Sequence, residues 1–165
     1  PYSVPILNEV VVAYCREDVL KQPRPNWVKD YYGLTIGKND GFELGGNEFM
    51  EAVIKGKMSL SKVKSTTQNI MMLGSSRLDC YVNDRLAILK TLEKLKKDGK
   101  YDEEGKHARL KEGVVISSEY GFLGFTNNDD GKFYFKEDFV SKFNSIINEM
   151  KRNGELQKMV DNYLD

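Results

Sequence analysis

The run Leu73-Gly74-Ser75-Ser76-Arg77-Leu78-Asp79-Cys80-Tyr81-Val82-Asn83-Asp84 constrains this chain more than any other. It reads as the end of a helix, a tight turn, and a buried strand whose last residue is a carboxylate. Leu78, Cys80 and Val82 alternate with Asp79, Tyr81 and Asn83, a period of two that a half-buried strand requires. A long helix pattern follows at once through Leu86, Ile88, Leu89, Leu92 and Leu95, ending near Asp98-Gly99, so the stretch is a βα unit. In an open parallel sheet, ligands bind beyond the carboxyl ends of the strands. Asp84 is thereby the first candidate site residue.

The rest of the chain repeats this alternation. Residues 10–14 are an uninterrupted apolar, β-branched run and predict a buried strand. A Pro-rich loop and a short amphipathic turn from Trp27 lead to Gly33, and residues 34–37 predict the next strand. The loop that follows, residues 38–46, carries glycines that bring backbone close to the mouth of a sheet. Asn47 is the expected cap of a helix bearing Phe49, Met50, Val53 and Ile54, with Gly56 as its stop. Residues 60–64 predict a short strand, and Thr66 or Thr67 the cap of a helix through Ile70, Met71 and Leu73. Strand and helix alternate throughout, which predicts an α/β layered sheet. Beyond the charged loop of residues 99–113, an extended passage runs from Val114 through Thr126. Two apolar helical stripes close the chain, Phe139-Phe143-Ile146-Ile147-Met150 and Leu156-Met159-Val160-Tyr163.

Charge excludes several functions. The 25 basic and 25 acidic residues cancel, so nothing points to nucleic acid or a membrane surface. The lysines at 94, 96, 97 and 100 sit beside acidic residues and read as a solvated helix face. No apolar run approaches the ~20 residues that span a bilayer. Cys15 and Cys80 fall in apolar strand patterns and read as small free-thiol hydrophobes. With His107 the only histidine, in a charged loop, no metal cluster, cofactor loop or catalytic nucleophile is expected.

Four stretches in order resemble the extracytoplasmic solute-binding proteins of the amino-acid type, which have the type II periplasmic-binding fold. Tyr2-Ser3-Val4-Pro5 is similar to the family's crossover into its second lobe, and Tyr32-Gly33-Leu34-Thr35-Ile36-Gly37 to its "L-x-G-x-x-[IV]-G" strand entry. Residues 76–84 resemble the "G-R-x-D-A-x-x-x-D" stretch. Residues 139–164 resemble the family's terminal helix pair, with Asn153-Gly154 at the break. The resemblance implies lobe 2 complete with the C-terminal part of lobe 1: residues 1–9 the crossover, 10–113 lobe 2, and 114–165 the return strand and closing helices. Most of lobe 1 would lie outside these 165 residues, as in a truncated or proteolysed protein. The closing stripes would then lack a sheet to pack on, making a swapped or packed oligomer plausible.

By the same resemblance, Asp84 receives the ammonium of an amino acid or related small polar solute, while also capping the helix that starts at Arg85. The loop Asn39, Asp40, Gly41, Phe42, Glu43 matches the family's ligand loop. Phe42 and Glu43 depart from the small hydroxyl residues usual there, so Phe42 would stack on the solute and Glu43 accept from a cationic group. Tyr120, in a hinge-like strand, would line the cleft. Asp79 is assigned to structure. The implied function is binding for ABC-type uptake outside the cytoplasm, with a membrane permease or a sensor as partner. Two alternatives are a ligand-sensing receptor domain and an enzyme related to the dehydratases of this fold, with Glu43 and Asp84 as acid and base.

Overall fold

A computed structural model describes residues 2–164. It divides into two compact units, one of them Val10–Ser118 and the other made of the flanking segments.

Val10–Ser118 is built on a five-stranded sheet of order β3-β2-β4-β1-β5. Its strands are β1 (Asn8–Arg16), β2 (Thr35–Asn39), β3 (Ser59–Val63), β4 (Cys80–Asp84) and β5 (Leu110–Tyr120). Strands β2, β3 and β4 run parallel, while β1 pairs with β4 antiparallel. The sheet is therefore mixed, and the alternating α/β order holds only from β2 onward. Between β1 and β2 lie two single-turn 3-10 helices, Val19–Lys21 and Lys29–Tyr31, in place of a crossover helix. With no crossover to reverse its path, the chain re-enters the sheet antiparallel to β1.

Both faces of the sheet are covered, which is why β1 reads as a continuous apolar run. Ala13 and Cys15 point into a core shared with Phe49 and Ala52 of α1 (Gly46–Ile54). Val12 and Tyr14 point the other way. They meet Ile70 and Leu73 of α2 (Thr66–Gly74) and Ile88, Leu92 and Leu95 of α3 (Arg85–Lys97). Tyr81 and Asn83, expected on the polar side of β4, are buried by this second helical layer.

Helix starts differ from expectation at two places. α1 begins at Gly46, one residue before Asn47, with Gly45 as its N-cap at φ 98°. Only glycine tolerates that conformation, and a Cβ there would stand 2.6 Å from the Phe49 ring. Ser65, not a threonine, caps α2 by accepting from the Gln68 amide. Asp84 does cap α3.

Cys15 and Cys80 are not free thiols. They are register partners on β1 and β4 and form a disulfide. Their separation of 65 residues conceals the pairing, because it follows from the antiparallel β1–β4 contact that a purely parallel reading lacks. Asp79 is structural: it accepts from the Thr35 amide at 2.7 Å and pairs with Arg16 at 3.1 Å. His107 stacks on Tyr101 and accepts from the Asp102 amide at 2.9 Å.

The second unit holds α4 (Lys136–Arg152) and α5 (Glu155–Leu164). Phe139 stacks on Phe143 and meets Phe125 edge-on. Asn144 Oδ1 accepts from the Val4 amide at 2.8 Å, and Lys136 pairs with Asp129 at 2.8 Å. The Lys136 ammonium holds the Asp129 carboxyl below its ordinary range through that hydrogen bond. Of the two apolar stripes, only Ile147 is buried, and Ile146, Met159 and Tyr163 are more than half exposed.

Candidate functional site

The carboxyl ends of β2, β3 and β4 form one edge of the parallel part of the sheet, and the two faces of that edge carry different chemistry. On the α2–α3 face, Asn39, Thr66, Asn69, Tyr81 and Asn83 form a buried polar network. The Tyr81 hydroxyl donates toward Asn39 Oδ1 at 3.0 Å and lies 2.6 Å from the Asn83 amide nitrogen, which donates to it. Asn69 donates to Asn39 Oδ1 at 2.8 Å, and the Thr66 hydroxyl accepts from Asn83 at 3.2 Å. Burial pushes the Tyr81 phenol above its ordinary range, against the hydrogen bonds of Thr66 and the asparagines. The network ties the ends of β2 and β4 to the start of α2. With Asn69 Oδ1 its one buried side-chain atom lacking a partner among the described residues, the network holds these elements in one backbone geometry.

Asp84 stands at the end of β4, half-buried. Its Oδ1 accepts from the Ala87 amide at 3.0 Å, capping α3, and Oδ2 has no hydrogen-bond partner among the described residues. Beside it, Arg85 is held by Glu112 through two bonds of 2.7 and 2.6 Å. Those hydrogen bonds raise the Arg85 pKa further, so its charge is spent on Glu112.

On the α1 face a cleft of about 480 Å³ opens between the β2–α1 loop and β3. Gly41, Phe42, Glu43, Asn47 and Met50 line it, and so do Lys38 and Lys62. The pattern of β2 explains their arrival: Ile36 belongs to the α1-side core, so Lys38 two residues on shares its face. Leu60 places Lys62 likewise, and Lys38 and Lys62 are register partners on parallel neighbours. Lys38 is only 5% exposed. Neither lysine, nor Asp40 or Glu43, forms an ion pair among the described residues. Trp27 pins the far end of the loop, donating from Nε1 to the Gly45 carbonyl at 2.8 Å and packing on Phe49.

The expected site residues are thus distributed. Gly41 at φ 81°, Phe42 at 54% exposure and Glu43 lie together on the α1-side cleft. Asn39 is buried in the network on the opposite face and holds Tyr81 and Asn69. Asp84 is at the same edge, outside the cleft lining. Tyr120 is exposed and belongs to the second unit. Sequence reasoning passed over Lys38, Lys62, Thr66, Tyr81 and Asn83. The alternation Ile36-Lys38 and Leu60-Lys62, apolar then cationic on one face, is the signal that locates the lysines. Among the described residues, no group of three or more His, Cys, Asp or Glu is placed to hold a metal, and no helix is long and apolar enough to cross a membrane.

A scan against protein-family models returns no match, and neither does a search of curated proteins. Solved structures do match. The second substrate-binding domain of GlnP from Lactococcus lactis superposes with a TM-score of 0.64 at 15% identity, over 99% of this chain and 61% of that one. The amino acid ABC transporter substrate-binding protein AbpA of Streptococcus pneumoniae, bound to L-arginine, gives 0.60 at 13% identity, over 99% and 60%. The GluR0 ligand-binding core in complex with L-glutamate gives 0.63 at 11% identity, over 99% and 63%. The fold is that of the type II solute-binding proteins. The chain spans less than two thirds of the length of each of these structures. In this fold the parallel edge described above is where strands β2, β3 and β4 present their carboxyl ends.

Proposed function

We propose that the chain is part of a solute-binding protein of the amino-acid type, with Val10–Ser118 as its lobe 2 and the flanking segments as the C-terminal part of lobe 1. The observation that carries this reading is Asp84: a half-buried carboxylate at the end of a parallel strand, with one oxygen spent on the α3 cap and the other without a partner among the described residues. That oxygen is positioned to accept a charge-assisted bond from a solute ammonium, worth about 1.5–3 kcal/mol when water is excluded. The titles of the matching structures, an ABC transporter protein with L-arginine and a ligand-binding core with L-glutamate, agree with an amino-acid solute. The Cys15–Cys80 disulfide supports an extracytoplasmic setting, where such bonds persist. Delivery to a membrane permease is the biological role we favour. The match to GluR0 supports a ligand-sensing role as the second reading. Glu43 lines the α1-side cleft and Asp84 does not, so no observation supports the two as an acid–base pair.

A thermal-shift screen of the full-length protein against amino acids, polyamines and small carboxylates tests the reading, because a solute that binds only the folded state raises Tm by mass action. Asp84→Asn is the decisive variant. Asparagine caps a helix as well as aspartate, so stability is retained while the charge is lost, and affinity for an amino-acid hit falls tenfold or more. Unchanged affinity refutes the role of Asp84.

A further inference from the structure

The sheet of Val10–Ser118 ends in β5, which neighbours β1 on one side and no strand on the other. An open edge offers a row of backbone N–H and C=O groups to any extended chain, and proteins ordinarily blunt such edges with charges or prolines. β3, at the opposite end of the sheet, carries Lys62 and is followed at once by Lys64. β5 has no such protection over Gly113-Val114-Val115-Ile116-Ser117-Ser118, which holds neither charge nor proline, and its Val115 is 46% exposed.

Beside that edge lies a groove of about 370 Å³, lined by Leu20, Pro23, Arg24 and Pro25 from the loop after β1 and by Lys111, Glu112 and Gly113 of β5. Arg24 is fixed in place. Its Nε donates to the Val19 carbonyl at 3.1 Å, Nη1 to the Asp30 carbonyl, and Nη2 to Gln22 Oε1 at 3.5 Å. Its guanidinium carbon stands 5.9 Å from the centre of the Tyr31 ring. All of these partners are neutral, so the Arg24 charge is uncompensated by them. Glu112, the carboxylate of the groove, is claimed by Arg85 through two bonds of 2.7 and 2.6 Å. Lys111 is exposed and forms no ion pair among the described residues. Two cations are thus left facing one groove along an unblunted strand edge.

We infer that β5 is a docking edge for an extended acidic peptide segment of a partner protein, which joins the five-stranded sheet as an added strand and sets its carboxylates against Arg24 and Lys111. In such an addition the main-chain hydrogen bonds supply affinity, and the pockets beside the edge select the side chains. Acidic residues two apart on an extended peptide share a face, so both reach the groove together, with their stems on Leu20, Pro23 and Pro25. A guanidinium already held by neighbouring oxygens loses little freedom on meeting a carboxylate. β1 lies between β5 and the parallel strands, and the inference does not depend on the solute-binding reading.

The test is an NMR titration of the 15N-labelled full-length protein, at low salt, with the end-capped peptide Val-Glu-Val-Glu-Val. The peptide is expected to shift the amides of Lys111 to Val115 and to bind at least tenfold more tightly than Val-Gln-Val-Gln-Val or Val-Lys-Val-Lys-Val. Methylating every backbone nitrogen of the acidic peptide keeps both carboxylates and removes the strand-forming N–H groups, and lowers its affinity tenfold or more. Lys111→Glu, at an exposed position, weakens binding of the acidic peptide tenfold or more. Arg24→Gln does the same, with its spectrum reporting that it remains folded. Binding of the glutamine peptide within twofold of the acidic one overturns the role of the two cations. Equal binding of the methylated peptide overturns strand addition. The docking edge falls altogether if both variants bind the acidic peptide within twofold of the parent protein, if the shifts lie away from β5, or if no amide moves at millimolar peptide.

Discussion

Reducing the Cys15–Cys80 disulfide should be the largest single perturbation of the Val10–Ser118 unit that leaves its sequence unchanged. The bond closes a loop of 65 residues' separation, and loop-closure entropy for that length amounts to about 4 kcal/mol at room temperature. Both cysteines are fully buried between β1 and β4, so the reduced thiols stay in apolar contact and the difference arises chiefly in the unfolded chain. With a urea slope of about 2 kcal/mol/M, the midpoint should fall by about 2 M on reduction. The thermal midpoint should fall by roughly 8–16 °C. The chain has one tryptophan, and Trp27 packs on Phe49 and Tyr31 in the core of that unit, so its fluorescence follows the relevant transition. The double variant Cys15→Ala with Cys80→Ala should be indifferent to reductant. Two free thiols by intact mass in protein made under oxidising conditions would refute the pairing. Coincident urea curves before and after verified reduction would refute the magnitude.

Two further substitutions probe the packing around the site. Tyr31 is fully buried with no hydrogen-bond partner for its hydroxyl among the described residues, so Tyr31→Phe should be neutral or stabilising by up to about 1 kcal/mol at pH 7. Burial also lifts its phenol to about 12, whereas the unfolded chain ionises near 10. The stability held below pH 10 is therefore lost as pH rises from 10 to 12, and Tyr31→Phe should unfold less steeply with pH across that window; an identical alkaline slope would contradict this. Gly37→Ala places a Cβ 2.5 Å from both Asn69 Oδ1 and Leu78 Cδ1, so urea unfolding should show a loss of about 1–3 kcal/mol from overpacking. A variant of parental stability would show that the contact relaxes freely.

Much of the α/β core was legible because its signals are local. The cap at Asp84, the glycine at the end of β2's loop and the helical stripes of α1 to α4 each lie within one turn or one strand of sequence. What stayed hidden depends on contacts distant in the chain. Cys15 looks like a small hydrophobe until β1 is known to run antiparallel to β4. Tyr81 and Asn83 look solvent-facing until α2 and α3 cover their side of the sheet. Asn39, expected in the ligand loop, is claimed by Tyr81 and Asn69, which arrive from strands and helices more than 29 residues away. Ser65 displaced the threonines as a cap because capping depends on the backbone entering extended at that residue, φ −142° and ψ 153°, which composition does not show.

The two faces of the parallel edge differ in how their polar groups are engaged. On the α2–α3 side, all but one of the polar atoms contributed by Asn39, Thr66, Asn69, Tyr81 and Asn83 are exposed or engaged, the exception being Asn69 Oδ1. That face supplies most of its own hydrogen-bond partners. On the α1 side, Lys38 and Lys62 are brought together by the register of β2 and β3, and no side chain caps the start of α1. Shifting either strand by one residue would turn its lysine to the opposite face, into the network's layer. The register is fixed by Ile36 and Leu60, whose side chains belong to the core beneath. The same hydrophobic contacts that fold the sheet therefore bring two like charges together at its edge.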